Sequence, residues 1–498
     1  MANAIFYAIG ICAFVLLFTV GYISLNDAAL TRIPLRVLNL PPVRWRKAEF
    51  EAVTEKMKEC PPSIEEHLPP KTSRKYIVVG GSGFLGGWII IHLLKRGESP
   101  LNIRIIDLRP PTRLDFTSGP AKEVQFEAAD ISKAEQVDAA FKAPWPAASS
   151  ANAEITVFHT AAIIRFYERH RSLLPLSKVN VLGTENIIKA ARATGASILI
   201  YTSSGSVAQR NTRLLLIPWL EKEPEHFVQV LGDQEPNKLP QTLDEFTCCY
   251  SHSKLEAEVL IRAFDGSSSG PNEDKVLRTG CIRPANGIYG PGADLWEYFL
   301  NKKKNITFFP NLITSNIYVE NCSLAHLCYE QRLIEMATQY EGLVRSIPDI
   351  GGNTFTVTDP QQPVLWSDLY AALSYFTDGS CQYSTISPTL LILVSFVVER
   401  YYIIRHRLCS SIPVVARIAK YLPQLRGDLL ALQPSVMVLS YAHILADDSR
   451  ARLSPSEGGL GYDAPWTALE GLYKTIKQFE TEGSLRPISL NTGFGHGK

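Results

Sequence analysis

Three side chains near the middle of the sequence have the types and the spacing needed to take a proton from an alcohol. Tyr250 and Lys254 are four residues apart, which places them on one face of a helix. Ser204 follows an apolar, strand-like run, so its hydroxyl would lie at the carboxyl edge of a parallel sheet, where ligands bind. A phenol in water has a pKa of about 10, and a nearby ammonium favours its ionised form. The pattern predicts that Tyr250 is a general base made usable by Lys254 and that Ser204 holds the substrate oxygen.

Two other interpretations of these residues stay open. The Y-x-x-x-K spacing is common, and on most helices it is a solvated lysine beside an amphipathic ring. Ser203 could hold the substrate oxygen instead of Ser204, but one step along a strand reverses the face, so only one of them should point at the substrate. We expect that residue to be Ser204.

A glycine-rich turn between a strand-like run and a helix-like run predicts a dinucleotide site. The run 76–79 leads into Gly80, Gly83 and Gly86, whose backbone can approach a pyrophosphate. The helix that begins near Phe84 would point free N–H groups at the same pyrophosphate. The G-x-x-G-x-x-G spacing alone is weak, because many glycines serve turns or close packing. The flanking strand and helix patterns make a nucleotide site the favoured interpretation.

An acidic residue after the next strand-like run indicates which nucleotide is bound. The run 103–106 ends at Asp107, about twenty residues after the last glycine. A carboxylate there can accept hydrogen bonds from the adenine-side ribose and would repel a 2′-phosphate, which favours NAD. Arg109 could pair with that phosphate, so NADP is not excluded. With a nicotinamide present, Lys254 would also hold its ribose while hydride leaves the carbinol carbon.

Strand and helix patterns alternate along the chain from residue 74 onward. Further strand-like runs lie at 124–127, 155–158 and 197–201, and a helix pattern covers 183–193. This alternation predicts an α/β fold with a Rossmann-type doubly wound parallel sheet and a smaller C-terminal substrate-binding region. We predict a nucleotide-binding domain at 74–285 and a substrate-binding region at 286–498.

The composition is that of a large folded protein without nucleic-acid or metal signatures. The 498 residues are 46% hydrophobic and 20% charged, which is enough to bury a large core. A net charge of +1 gives no electrostatic reason to expect nucleic acid as a partner. The nine cysteines include no C-x-x-C pair, so we predict reduced thiols and no metal site.

The N-terminal segment predicts a membrane anchor. Residues 5–24 carry no charge, and about 20 helical residues match the ~30 Å hydrocarbon core of a bilayer. No basic residue precedes this run, unlike the usual signal peptide. Arginines and Lys47 follow it with few acids between them, which places the downstream chain in the cytosol. We therefore predict a single-pass transmembrane anchor at 1–25, a tether at 26–73 and a cytosolic catalytic domain, with the endoplasmic reticulum as the expected membrane.

Two further apolar stretches have open interpretations. The insertion 209–243 contains runs at 214–220 and 227–231, and it is either a packed surface insertion or a wall of the substrate pocket that could dip into the membrane. The stretch 388–404 is too short to span a bilayer with certainty and is followed by basic residues. It is either a core helix or an interfacial, membrane-associated helix.

Together these motifs resemble the extended short-chain dehydrogenases, and within them the 3β-hydroxysteroid dehydrogenase and sterol-4-carboxylate 3-dehydrogenase group. The turn 79–86 is similar to the family's T-G-G-x-G-F-L-G and departs from it only at the first residue. The segment 282–292 is similar to the family's R-P-x-x-I-Y-G-P-G, and the resemblance extends over residues 74–485. It implies a set of cofactor-binding residues: Gly80, Gly83, Phe84, Leu85, Gly86, Asp107, Asp130, Ile131, Thr160, Ala161, Ala162, Asn180, Tyr250, Lys254 and Pro284.

The resemblance also implies an activity. It is that of a membrane-bound, NAD(P)-dependent dehydrogenase that oxidises the 3β-hydroxyl of a sterol, steroid or triterpenoid to a ketone. A substrate with a 4-carboxylate would become a β-keto acid, which loses carbon dioxide without a further catalytic residue. Two alternatives stay open: a 3β-hydroxysteroid dehydrogenase/isomerase, which needs another acid, and a non-catalytic NAD-binding membrane scaffold. The expected partners are the lipid-like substrate and the membrane, a homodimer is left open, and no nucleic acid is expected.

Overall fold

A parallel sheet with helices on both faces lies at the centre of the computed structural model, which describes residues 2–41, 43–150, 153–169, 176–292, 295–339 and 347–483. Parts of the predicted regions, such as 340–346 and 484–498, lie outside the described residues. The strands are β1 (Lys75–Val79), β2 (Ile103–Asp107), β3 (Gln125–Ala128), β4 (Ile155–His159), β5 (Ala196–Thr202), β6 (Val228–Leu231), β7 (Ser267–Ser269), β8 (Lys275–Pro284), β9 (Ile288–Tyr289), β10 (Lys304–Thr307), β11 (Ile313–Thr314), β12 (Ile317–Tyr318), β13 (Thr354–Val357), β14 (Val364–Leu365), β15 (Gln382–Thr385) and β16 (His443–Ala446).

Among the described residues the first helix is the longest, with 30 residues. They are α1 (Ala2–Thr31), α2 (Leu35–Leu38), α3 (Lys47–Glu59), α4 (Phe84–Lys95), α5 (Ala134–Lys142), α6 (Gly183–Ala193), α7 (Cys249–Ala263), α8 (Leu295–Lys302), α9 (Val319–Gln339), α10 (Trp366–Phe376), α11 (Pro388–Cys409), α12 (Pro413–Ala419), α13 (Gly427–Ala431), α14 (Pro434–Ser440), α15 (Ser449–Arg452) and α16 (Ala468–Glu482).

The order of the strands creates a crevice at the carboxyl edge of the sheet. Within the described residues, the parallel strands lie in the order β3-β2-β1-β4-β5-β8-β13, and β7 pairs antiparallel with β8. The strand order reverses between β1 and β4, and such a switch point is where open α/β sheets bind ligands. The last parallel strand, β13, comes from the region predicted to bind substrate.

Apolar side chains from both faces of this sheet form two core layers. On one face, α4 and α9 bury Ile89, Leu93 and Leu327. On the other face, α5, α6 and α7 bury residues such as Ile187 and Ile261. Because β1 is buried on both faces, its residues 76–79 form a continuous apolar run rather than an alternating one. The predicted doubly wound sheet is confirmed, and the helix predicted at 183–193 has those bounds.

The insertion 209–243 is built into a second, smaller sheet. Its strand β6 pairs in parallel with β16, and β11 and β14 complete the order β14-β11-β16-β6. Leu214, Leu216 and Phe227 are buried, whereas Trp219 and Leu220 are exposed. The insertion is therefore packed against the C-terminal region along most of its length and leaves one apolar loop uncovered.

Residues 26–73, which the sequence predicts as a tether, pack against the folded domain. Phe50 of α3 lies against Tyr375 and Phe376, with ring centres 5.1 and 5.6 Å apart. Arg44 forms a two-pronged ion pair with the buried Asp368. This segment contains several proline pairs, but its apolar side chains pack against residues that are distant in sequence.

Helix α1 continues beyond the predicted anchor. Among the described residues, the stretch Ile5–Thr31 is the one helical segment that is long and apolar enough to cross a membrane by length and composition. Its last turns are held by the domain, because Asn26 and Leu30 are fully buried. The apolar stretch predicted at 388–404 forms α11, which is 22 residues long.

Candidate active site

The three predicted catalytic residues come together at the carboxyl edge of the sheet. Ser204 lies two residues after β5, and Tyr250 occupies the first turn of α7 with Lys254 one turn later. The Ser204 side chain lies close enough to Tyr250 to influence the pKa of its phenol. Ser204 Oγ also lies 2.8 Å from Ser206 Oγ. A substrate oxygen placed between the Ser204 and Tyr250 hydroxyls would be in reach of both.

Lys254 lies behind Tyr250, against β5. Its Nζ donates a hydrogen bond of 2.6 Å to the carbonyl oxygen of Thr202 and lies 4.1 Å from the centre of the Tyr201 ring. Burial lowers the pKa of Lys254 to about 7. Burial also raises the pKa of Tyr250, and the neighbouring Ser204 side chain opposes that rise. The predicted lowering of the Tyr250 pKa by Lys254 is not seen: burial is the largest influence on this phenol, and Lys254 is not among the groups that shift its pKa.

The two neighbouring serines point in opposite directions, as expected for adjacent residues at the end of a strand. Ser203 Oγ donates a hydrogen bond of 2.6 Å to Glu258 of α7. Glu258 forms a fully buried ion pair with Arg283, with 2.5 Å between Oε1 and Nη2. The Ser203 hydroxyl is therefore bonded to this buried ion pair. Ser204 is left as the hydroxyl that faces Tyr250.

The glycine turn leaves no room for side chains. Gly80 has φ of +85°, and a Cβ at this position would lie 2.6 Å from the backbone nitrogen of Ala161. A Cβ at Gly83 would lie 2.8 Å from the carbonyl oxygen of Gly80, and one at Gly86 would overlap the same oxygen. The turn leads directly into Phe84 and Leu85 of α4, whose first N–H groups have no partner within the helix. This arrangement fits a pyrophosphate at the helix N-terminus.

Two carboxylates end the neighbouring strands. Asp107 closes β2 and accepts hydrogen bonds from the backbone N–H groups of Ser82, at 3.1 Å, and Leu108, at 2.7 Å. It therefore lies beside the glycine turn, where an adenine-side ribose would be held. Asp130 follows β3 and accepts bonds from the backbone and hydroxyl of Ser132, at 3.0 and 2.7 Å.

The remaining predicted cofactor residues line the same edge. The backbone N–H groups of Thr160 and Ala161 both donate to the carbonyl oxygen of Val79, so the end of β4 closes over the glycine turn. Other predicted residues follow or flank the strand ends: Ile131 after β3, Ala162 after β4, Asn180 before α6, and Pro284 at the end of β8. The structure thus brings the predicted residues to one edge of one sheet, in positions that fit a dinucleotide.

Asn180 has a clear supporting role. Its side chain accepts a bond of 2.8 Å from the N–H of Ile163 and donates one of 3.0 Å to the carbonyl oxygen of the same residue. Its Nδ2 also lies 2.9 Å from Ser253 Oγ, in the helix that carries Tyr250 and Lys254. Asn180 therefore ties the loop after β4 to the catalytic helix.

This loop, residues 163–169, contains residues that sequence reasoning missed. The ring of Phe166 packs edge-on against Tyr250, with centres 5.0 Å apart. The backbone N–H of Cys249 donates to the carbonyl oxygen of Glu168, and Tyr402 of α11 donates to the Glu168 carboxylate at 3.0 Å. Arg169 pairs with Glu399, also of α11. The loop has no periodic pattern, and its partners are more than 80 residues away, so no sequence signal indicates these contacts.

A cavity of about 560 Å³ lies next to this loop. Ser204 and Tyr250 do not line this cavity, but Asp244 and Glu245, which lie just before α7 in the chain, do. Its walls come from the loop, the insertion and helices α11 and α14, and include Arg169, Leu214, Leu215, Asp244, Ile392, Phe396 and Met437. The volume is within the range of small-molecule pockets, which is about 300–1,000 Å³. Apolar side chains on one part of its wall face charged ones on the rest, which include Arg210, Arg213, Glu225 and Glu245.

Comparison with known proteins gives a family. The sequence profile of the 3-beta hydroxysteroid dehydrogenase/isomerase family matches residues 77–382, which is more than half of the chain. The chain belongs to this family. The match includes the glycine turn, Ser204, Tyr250 and Lys254, and the resemblance seen in the sequence is confirmed.

Curated relatives agree with this family assignment. The chain is 32% identical over 277 residues to 3beta-hydroxysteroid-dehydrogenase/decarboxylase isoform 2 of Arabidopsis thaliana, a match that covers 53% of this chain and 42% of that protein. It is 34% identical over 276 residues to human 3 beta-hydroxysteroid dehydrogenase type 7, covering 54% of this chain and 66% of that protein. The chain thus spans less than two thirds of the length of these relatives.

A solved structure supports the fold. MoeE5, determined in complex with UDP-glucose and NAD, is 17% identical and superposes with a TM-score of 0.50, covering 82% of this chain and 98% of that one. At this level of identity the likeness concerns the fold alone. It is consistent with the doubly wound sheet described above.

Proposed function

We propose that this protein is a membrane-anchored, NAD(P)-dependent dehydrogenase that oxidises the 3β-hydroxyl of a sterol, steroid or triterpenoid to a ketone. The observation that carries the proposal is the placement of Ser204, Tyr250 and the buried Lys254 together at the edge of the sheet that also holds the glycine turn. Family membership and the names of the relatives support this substrate class.

The residues of this chain have distinct roles in the proposed reaction. Ser204 donates a hydrogen bond to the substrate oxygen and holds it against Tyr250. The Tyr250 phenolate removes the hydroxyl proton, and the C–O single bond becomes a carbonyl as the hydride leaves the carbinol carbon. The nicotinamide, when bound, accepts that hydride. Lys254, held against β5 by the Thr202 carbonyl, would supply a donor for the nicotinamide ribose.

Decarboxylation would extend the same reaction. If the substrate carries a 4-carboxylate, the new 3-ketone makes it a β-keto acid, whose carbon dioxide leaves while the carbonyl takes up the electron pair. The Arabidopsis relative is named a dehydrogenase/decarboxylase, which supports this extension. The assay is formation of NADH and carbon dioxide by membranes containing the protein, supplied with a 4-carboxy-3β-hydroxysterol. NADH without carbon dioxide from simple 3β-hydroxysteroids would favour the plain dehydrogenase, and the formation of neither NADH nor carbon dioxide would count against the proposal.

NAD is the proposed cofactor. The Asp107 carboxylate, oriented by two backbone N–H groups, would repel the 2′-phosphate of NADP. Arg109, two residues later, is exposed and could offset part of this repulsion. In Asp107→Asn, loss of a charge repulsion of about 1 kcal/mol should raise kcat/KM for NADP relative to NAD by about fivefold. An unchanged ratio would show that Asp107 does not discriminate between the two.

The proposed location is a membrane, through α1, with the folded domain in the cytosol and the endoplasmic reticulum as the expected organelle. The exposed apolar surface of α1 and the basic residues that follow it support this orientation. Resistance of the protein to extraction from microsomes by alkaline carbonate would support the anchor, and protease sensitivity of the domain in sealed microsomes would support the cytosolic side. Full extraction would contradict the anchor.

A further inference from the structure

Arg113, in the segment after β2, is buried together with its charge. Its side chain is 1% exposed, and its guanidinium carbon lies 4.6 Å from the centre of the Trp88 ring in α4. Its Nε donates to one carboxylate oxygen of Asp115 at 3.0 Å, and its Nη2 donates to the other. One edge of the guanidinium is therefore paired, and one flat face is stacked on an aromatic ring.

The remaining nitrogen of this guanidinium, Nη1, is buried and has no hydrogen-bond partner among the described residues. Burying a charged donor without an acceptor costs free energy, so such a donor needs an explanation. An acceptor that belongs to a bound ligand would supply one. The position of Nη1 shows which ligand could reach it.

Nη1 of Arg113 faces the first turn of α4. A Cβ at Gly87 would lie 3.2 Å from Nη1, and one at Gly292 would lie 4.0 Å from it. The N–H of Gly87 donates to the carbonyl oxygen of Gly83, one turn earlier, and the Cβ direction of a helical residue tilts toward the helix N-terminus. Nη1 therefore lies on the side of α4 that carries Gly83, toward the helix end with free N–H groups.

Gly87 makes this placement of the guanidinium possible. The glycine turn that resembles the family ends at Gly86, so the resemblance does not account for a second glycine directly after it. Glycine is less favourable than alanine within a helix. A Cβ at Gly87 would also lie 3.3 Å from Cδ of Arg113, so a side chain there would press on the arginine.

The loop after β9 encloses the guanidinium from the other side. Trp88 Nε1 donates to the carbonyl oxygen of Pro291 at 3.0 Å. A Cβ at Gly292 would lie 3.1 Å from the ring of Phe84, the first residue of α4. Arg113 is thus held between the start of α4 and this loop, at the edge of the sheet where the dinucleotide is expected.

The ligand expected at the glycine turn has acceptors and a charge that suit Nη1. Both phosphate groups of a dinucleotide are negatively charged, and a helix N-terminus offers only about half a positive charge. Asp107 and Asp130, at the ends of the neighbouring strands, add negative charge to the same edge. A guanidinium beside the turn would offset this repulsion, and its planar N–H groups match phosphate oxygens.

We propose that Arg113 is a phosphate-binding residue, whose Nη1 donates to the pyrophosphate of the dinucleotide at the N-terminus of α4. The Trp88 ring holds the guanidinium in place, and Gly87 leaves room for it. The inference rests on the proposed NAD(P) dependence, because it needs a dinucleotide at the glycine turn.

Calorimetric titration of the full-length protein in detergent micelles with ADP-ribose tests the contact. Adenosine, measured by its competition with ADP-ribose, is the matched ligand, because it has the adenine and its ribose but no phosphate. Arg113→Met removes the guanidinium and keeps an unbranched stem over Trp88. Asp115→Asn is the control for the ion pair, because it removes the partner's charge and keeps the guanidinium.

In Arg113→Met the Kd for ADP-ribose should rise by about ten- to a hundredfold, because a charge-assisted hydrogen bond is lost. The Kd for adenosine should stay within about twofold, and Asp115→Asn should not weaken ADP-ribose binding. If the methionine variant does not fold, Arg113→Lys gives the same comparison. It keeps the charge and loses the planar fork, so ADP-ribose affinity should fall by about three- to tenfold while adenosine affinity does not.

Three results would overturn the inference. They are an unchanged ADP-ribose affinity in both Arg113 variants, an equal loss for ADP-ribose and adenosine, and an equal loss in Asp115→Asn, which would make the ion pair the important contact. An effect confined to 2′-phospho-ADP-ribose would also overturn it, since it would assign Arg113 to the 2′-phosphate instead. Failure of the wild-type protein to bind either ligand would count against the proposed cofactor itself.

Discussion

The proposed cofactor half of the site, at the glycine turn, and its proposed substrate half, around the cavity, are held together by different kinds of contact. At the glycine turn, backbone bonds join neighbouring strand ends: the N–H of Gly80 donates to Ile106 at 2.8 Å, and the N–H of Ala161 to Val79 at 3.1 Å. Around the cavity, side chains far apart in sequence meet, as in the Arg169–Glu399 ion pair. A side chain added in the cofactor half should therefore lower the affinity for NAD. Substitutions in the substrate half should change substrate binding and leave the rate of the chemical step nearly unchanged.

The largest expected effect is at Tyr250, the proposed base. In Tyr250→Phe the ring that packs on Phe166 is kept and the base is removed, so turnover should fall by about 10²–10⁴-fold. NAD binding should stay within about twofold, because the phenol contributes little to the affinity for the whole dinucleotide. Stopped-flow NADH formation and calorimetric titration of NAD measure the two quantities. Undiminished turnover would rule out Tyr250 as the base.

A substitution in the cofactor half should act on binding. Gly80→Ala combines an unfavourable positive φ, about 1–3 kcal/mol, with a collision at Ala161, so NAD affinity should fall by about ten- to a hundredfold. Gly119→Ala is the matched control, because Gly119 also has a positive φ, +63°, but no atom lies within 4 Å of the added Cβ. The control should lower the melting temperature slightly and leave NAD affinity unchanged. Equal NAD affinities for the two variants would contradict the crowded turn.

In the substrate half, Glu399→Gln should raise KM and leave kcat nearly unchanged. The charge-assisted pair with Arg169 is two-pronged and largely buried at Glu399, so its loss should remove about 1.5–3 kcal/mol from the contact of the loop with α11. Glu185→Gln is the control, because its pair with Lys189 is an exposed helical contact of about 0.3–0.5 kcal/mol. A fall in kcat with unchanged KM would mean that the two halves are not separable.

The same division explains what could be predicted from the sequence. Glycine spacing, strand ends and helix periodicity are local signals, so the turn at Gly80, Asp107 at the end of β2 and the helix at 183–193 follow from a few adjacent residues. The role of Ser204 follows from strand alternation. Contacts such as Asn26 with Leu214, or Phe166 with Tyr250, join residues without any shared pattern. The packing of 26–73, the pairing of β6 with β16 and the burial of Lys254 are all of this second kind.

The pH dependence of hydride transfer tests the central claim most directly. Tyr250 must be ionised to act, and burial raises its pKa, so the rate of single-turnover NADH formation should increase with pH from neutral towards alkaline conditions. Each pH unit below that pKa should lower the rate about tenfold. In Tyr250→Phe the slow residual rate should be independent of pH over the same range. A wild-type rate that does not change with pH, or a Phe variant that keeps the alkaline rise, would contradict the assignment of Tyr250 as the base.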